Sequence, residues 1–118
     1  MAEAKTAHGT SRFSALPHSV GMSVQTLGQN LRAARLRRNL SLADVAARTG
    51  VNRLAVADAE KGKLSTGIAV YAALLWPYRL LDQLSEVASL AHDKEGAALA
   101  FTRKRAGTAH RKPLDDDF

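Results

Sequence analysis

The chain has 118 residues, 46% apolar but only 5% aromatic, with no cysteine and a net charge of +6. That bounds it to one small domain with tails, built from Leu, Ala and Val, and favours helices over a sheet. A disulfide framework and a thiolate metal site are excluded, and His8, His18, His92 and His110 are too scattered for metal-ligand spacing.

The basic balance points to a polyanionic partner, nucleic acid first. No apolar run reaches membrane-spanning length; the longest covers residues 68–77 and ends at a helix breaker. The first 21 residues lack the apolar segment of a leader, so a cytoplasmic protein is expected.

Residues 1–21 are small and polar without a hydrophobic period, and read as a disordered arm. The spacing then predicts a first helix from about Val24 to Arg38. Leu27, Leu31, Ala34 and Leu36 supply its apolar face, and Arg32, Arg35, Arg37 and Arg38 make it basic. Asn39 to Ser41 forms a turn. Ser41 then caps a second helix, Leu42 to Thr49, with Asp44 completing a capping-box variant. Gly50 stops that helix because it takes a left-handed conformation at little steric cost. Asn52 caps a third helix, Arg53 to Glu60, in which Val56 and Ala59 face inward and after which Gly62 breaks the chain.

Ala46, Gly50, Val51 and Val56 together follow the small residue, glycine, apolar, apolar spacing of a helix-turn-helix. The plainer reading is an ordinary αα-hairpin. In a helix-turn-helix the first turn of the second helix points into the major groove, which assigns Asn52, Arg53, Leu54, Ala57 and Asp58 to base contacts. Arg53 suits guanine, Asn52 adenine or phosphate, and Leu54 or Ala57 a thymine methyl. Asp58 either accepts from cytosine or repels phosphate. Arg32, Arg37, Arg38, Lys61 and Lys63 are the candidate phosphate contacts.

A fourth helix opens at Ser65 or Thr66 and runs to about Trp76, with Ile68, Tyr71, Ala72 and Leu75 in a stripe. Pro77 opens a fifth, extending to about His92, with Leu80, Leu81, Leu84, Val87 and Leu90 on a broad apolar face. That face exceeds what one small core needs, so Trp76, Tyr78, Leu81 and Leu84 are expected at a homodimer seam. Simple closure of the core is the alternative. Asp93 to Gly96 is a break or a new cap, and residues 96–103 allow one or two helical turns carrying Leu99 and Phe101. The remaining tail, basic and then acidic up to Phe118, reads as disordered. The expected division is an arm (1–21), a DNA-binding domain (22–92) and a charged extension (93–118). No nucleophile–base pair, phosphate loop or metal cluster appears, so neither an enzyme nor a cofactor is expected; Ser41 and Thr66 read as caps.

The stretch LGQNLRAARLRRNLSLADVAARTGVNRLAVADAEKGK resembles the Xre family of regulators, which includes the Cro and lambda-type repressors. Leu27-Gly28, Leu31-Arg32, Arg35, Leu40-Ser41, Val45-Ala46, Gly50-Val51, Val56, Glu60 and Gly62 carry the likeness, which covers about residues 22–91. The resemblance implies an all-α, five-helix lambda-repressor-like fold, binding to double-stranded operator DNA as a homodimer, and a partly buried ion pair between Arg35 and Glu60. Leu42 stands where the family usually has Gln, and Ala57 and Asp58 where polar or basic residues are common, so base readout looks thin and indirect readout gains weight. The ending DKEGAALAFTRKRAG…RKPLDDDF is more loosely similar to the C-terminal extension of HipB-like antitoxins paired with HipA-like serine/threonine kinase toxins. That likeness implies Phe118 docked in a pocket on the partner; a solubilising tail is the alternative. The function expected is thus a repressor that serves as an autoregulating antitoxin. The alternative is a protein-binding module that mainly neutralises a kinase-like toxin and binds DNA weakly.

Overall fold

The computed structural model describes residue 13 and residues 15–110. These form six α-helices and one 3-10 turn, with no strand among the described residues: α1 (His18–Arg37), α2 (Leu42–Thr49), α3 (Arg53–Glu60), α4 (Ile68–Leu75), α5 (Leu81–Ser85), the 3-10 turn (Leu90–His92) and α6 (Lys94–His110). The chain divides into two compact units between Leu81 and Asp82. The fold is all-helical, as expected. Several helix lengths differ from the expectation, each for a local reason.

Helix α1 begins at His18, six residues before Val24. Pro17 occupies its N-cap with φ −58°, and Val20 N–H closes the first turn on the Pro17 carbonyl at 3.0 Å. Proline's fixed φ suits a helix start, a signal that hydrophobic periodicity does not register. Of the expected arm, residues 1–12 and 14 lie outside the described residues. On α1 the buried positions are Gly28, Leu31, Ala34 and Arg35. Leu36, expected inside, is 48% exposed. Five residues after Leu31 it lies about 140° around the helix, off the stripe.

Helices α2 and α3 have the expected limits. Asp44 N–H donates to Ser41 Oγ at 3.0 Å, and Ser41 N–H donates back to Asp44 Oδ2 at 2.8 Å. The Ser41 N–H bond, with a side-chain bond from the same residue, holds the Asp44 carboxyl below the usual aspartate range. Gly50 is left-handed at φ +78° and its N–H closes on the Ala46 carbonyl. Asn52 Oδ1 accepts Ala55 N–H at 2.8 Å, which caps α3.

After α4 the expected long fifth helix is replaced by turns. Pro77 opens no long helix. Instead Tyr78 turns inward and is 2% exposed, while the turn that delivers it sets Arg79 at φ +62°. Ala88, also left-handed at φ +62°, interrupts the chain a second time. Only the five residues of α5 and the 3-10 turn remain helical there. Ile68, expected in the buried stripe of α4, is exposed; Tyr71, Leu74 and Leu75 face the core. The core of the first unit is completed by Leu31, Ala34, Val45, Val56, Ala59 and Tyr78.

In the second unit, Asp93 Oδ1 accepts Gly96 N–H at 2.9 Å and starts α6. The expected one or two turns become a 17-residue helix that takes in part of the tail read as disordered. Alanines supply strong helix propensity, and Glu95 in the first turn complements the helix dipole. No helix among the described residues is long and apolar enough to cross a membrane.

Candidate nucleic-acid interface

Two eight-residue helices cannot hold their shape alone. What fixes α2 and α3 is their packing on α1 and α4, and the α1–α3 crossing is closest. A Cβ on Gly28 would stand 2.5 Å from the Ala59 carbonyl oxygen and 2.7 Å from that of Glu60. Gly62, at φ +70°, has the Gln25 backbone in the same relation, 2.5 Å from its missing Cβ. The two backbones meet where only hydrogen fits, and this sets the height of α3 on the domain.

Arg35 locks the crossing. Its Nε donates to Glu60 Oε2 at 2.7 Å and its Nη2 to Glu60 Oε1 at 2.9 Å, with each residue 8% exposed. Nη1 donates to the Leu40 carbonyl at 3.0 Å. One guanidinium therefore ties α1, the turn into α2 and the end of α3. The bond to Glu60 raises the Arg35 pKa above its ordinary value. Beside it lies the Tyr78 ring, whose phenol is pushed up chiefly by burial and then by the Glu60 charge.

The turn between α2 and α3 has a brace that the sequence reading missed. Thr49 Oγ1 donates to the Val45 carbonyl at 2.8 Å and accepts Val51 N–H at 3.1 Å. A threonine one residue before a helix-ending glycine is the available signal, because its hydroxyl can serve both the last helical turn and the corner.

Asn52, Arg53 and Leu54 are exposed at the start of α3, while Ala57 and Asp58 are half-buried on it. Asp58 Oδ2 lies 3.6 Å from Lys63 Nζ, so its charge is offset locally. Arg32, Arg37, Lys61 and Lys63 are exposed. Lys61 and Lys63 border an open cleft of about 380 Å³ that Gln25 and Ser65 also line.

Two expected site residues have other structural duties. Arg38 Nη1 donates to the Ala34 carbonyl at 2.9 Å and Nη2 to the Tyr78 carbonyl at 3.1 Å, with its guanidinium 5.3 Å from the Tyr78 ring centre. It is a strut between α1 and the turn after α4, not a loose cation. Tyr78 is core, so it is withdrawn from the expected dimer seam. Trp76 and Leu81 are exposed and Leu84 is half-buried. Phe118 lies outside the described residues.

This geometry can be set against known proteins. A family model described as a helix-turn-helix domain matches residues 26–89, more than half of the chain. The chain belongs to this helix-turn-helix domain family. The family is found in Xre-like regulators and carries a DNA-binding helix-turn-helix. Neither the curated proteins nor the solved structures contain a match. In a helix-turn-helix the second helix enters the groove; α3 holds that position here, and the Arg35–Glu60 pair with the Gly28 crossing fixes where α3 sits. No group of three or more His, Cys, Asp or Glu among the described residues is placed to hold a metal ion.

Proposed function

We propose that this helix-turn-helix protein is a sequence-specific transcriptional regulator, a repressor that binds operator DNA as a homodimer. The observation that carries the reading is the clamp of Arg35 on Glu60, which holds α3 at a fixed height with Arg53 and Leu54 exposed on its first turn. A recognition helix needs that rigidity, because base contacts tolerate little misplacement. Asn52, Arg53, Leu54, Ala57 and Asp58 face the groove in this reading. Arg32, Arg37, Lys61 and Lys63 contact phosphates, and Arg38 leaves that set because of its two carbonyl bonds and its stacking on Tyr78. Trp76, Leu81 and Leu84 serve the dimer contact, with Trp76 61% exposed on the single chain.

The test compares two variants. Arg53→Ala should cost about 1–3 kcal/mol of binding and relax preference at one base pair, while Arg37→Ala should weaken all sequences alike. Identical behaviour of the two reduces Arg53 to a phosphate contact.

A protein partner for the C-terminal unit is the second reading. It is favoured by Leu99 and Phe101 on α6, which are 63% and 60% exposed. A kinase-like toxin held through Phe118, with the chain as its antitoxin, is the specific form. Removing residues 115–118 should then abolish inhibition of such a kinase and leave operator affinity intact; loss of operator affinity alone contradicts a docking tail.

A further inference from the structure

We propose that Leu54 is the thymine reader of the recognition helix, packing its side chain on the C5-methyl group of one thymine in each half-site. The inference rests on the DNA-binding reading above and adds the base that is read.

The argument runs through the polar groups of α3 that are already committed. Asn52 uses its carbonyl oxygen to cap the helix through Ala55 N–H at 2.8 Å, which pins its amide to the helix end instead of leaving it free to turn onto an adenine edge. Asp58 is engaged by Lys63 at 3.6 Å. Ala57 carries no polar group. That leaves Arg53, whose guanidinium has no partner among the described residues, and Leu54. Leu54 is 70% exposed, whereas Val56 and Ala59 on the inward side are 0% exposed. A leucine so placed adds nothing to the core, and alanine is the better helix former, so the fold does not call for leucine here. An aliphatic side chain on the first turn of a recognition helix has one specific counterpart in the major groove, the thymine methyl.

The probe is the duplex that the full-length chain enriches from a random-sequence library. Each of its thymines is then replaced singly by deoxyuridine, which removes only the methyl group. At one thymine per half-site the replacement should lower affinity about fourfold, the value of one buried methyl-sized group. In Leu54→Ala, which folds because the site is exposed, the same replacement should change nothing, and affinity for the thymine duplex should match the parent's affinity for a duplex carrying deoxyuridine at that thymine in both half-sites. If deoxyuridine is tolerated at every position, or is penalised equally in Leu54→Ala, Leu54 is not the reader although DNA binding stands. If no duplex is enriched at all, sequence-specific binding fails and this inference fails with it.

Discussion

The guanidinium of Arg35 grips both carboxylate oxygens of Glu60, at 2.7 and 2.9 Å, across 25 residues of sequence. A buried charge pair adds little net stability over an apolar pair, but half of one is costly. Glu60→Gln or Arg35→Met should therefore each destabilise the protein by about 3–5 kcal/mol, while replacing both with apolar residues should recover much of that loss. Denaturant unfolding of the single and double variants gives the coupling directly. Additive losses would show that the pair does not act as a unit.

The glycines at 28 and 50 should fail for different reasons. Gly28→Ala gains helix propensity but drives a Cβ into the Ala59 and Glu60 carbonyls, which lifts α3 off α1. A loss of about 1–3 kcal/mol is expected from such overpacking, together with weaker DNA binding. Gly50 has open space around it and a φ of +78°. Gly50→Ala should cost about 1–2 kcal/mol from backbone strain alone, whereas Gly50→Asn, which tolerates that region, should cost less. Thermal unfolding of the three variants checks the order.

The chain has two tyrosines, Tyr71 and Tyr78, and both are buried with phenol pKa values raised by that burial. Because the folded-state pKa lies above the unfolded one, folding is favoured fully below the unfolded value near 10 and loses that contribution as pH rises through the folded value. Phenolate absorbance should therefore appear only above the ordinary tyrosine range, in step with the loss of helical circular dichroism. Half of the absorbance titrating near pH 10 with helicity intact would place one ring in solvent.

Trp76 is the only tryptophan and stands exposed on the single chain. If it serves the dimer contact, its emission should be blue-shifted at high protein concentration and move to longer wavelength on dilution through the dissociation constant. Emission that is independent of concentration, while the protein changes between dimer and monomer, would remove Trp76 from the seam.

Much of this molecule is legible in its sequence where a local rule has one answer. Ser41 with Asp44, Gly50 and Asn52 set the limits of α2 and α3, because caps and left-handed glycines act within a few residues. The long-range features are harder to read. Gly28 looks like a helix weakener until Ala59 is known to lie against it, and Arg38 looks like a loose surface cation until Tyr78 stacks beneath it. Apolar spacing after Pro77 tells which residues avoid water but not that Arg79 and Ala88 turn left-handed. The expected Tyr78 seam failed for that reason: an inward turn and a continuing helix leave the same pattern.

Salt dependence of DNA binding tests the central claim most directly. With three or four phosphate contacts per protomer, from Arg32, Arg37, Lys61 and Lys63, a dimer should neutralise about six to eight phosphates and lose about a thousandfold or more in affinity between 50 and 200 mM salt. Titration of the full-length chain against its own upstream control region, over that range, should give a log–log slope of about −5 to −7, shallower by roughly two when Arg37→Ala removes one contact from each protomer. Absence of a complex at low salt, or a slope near zero, would contradict the account.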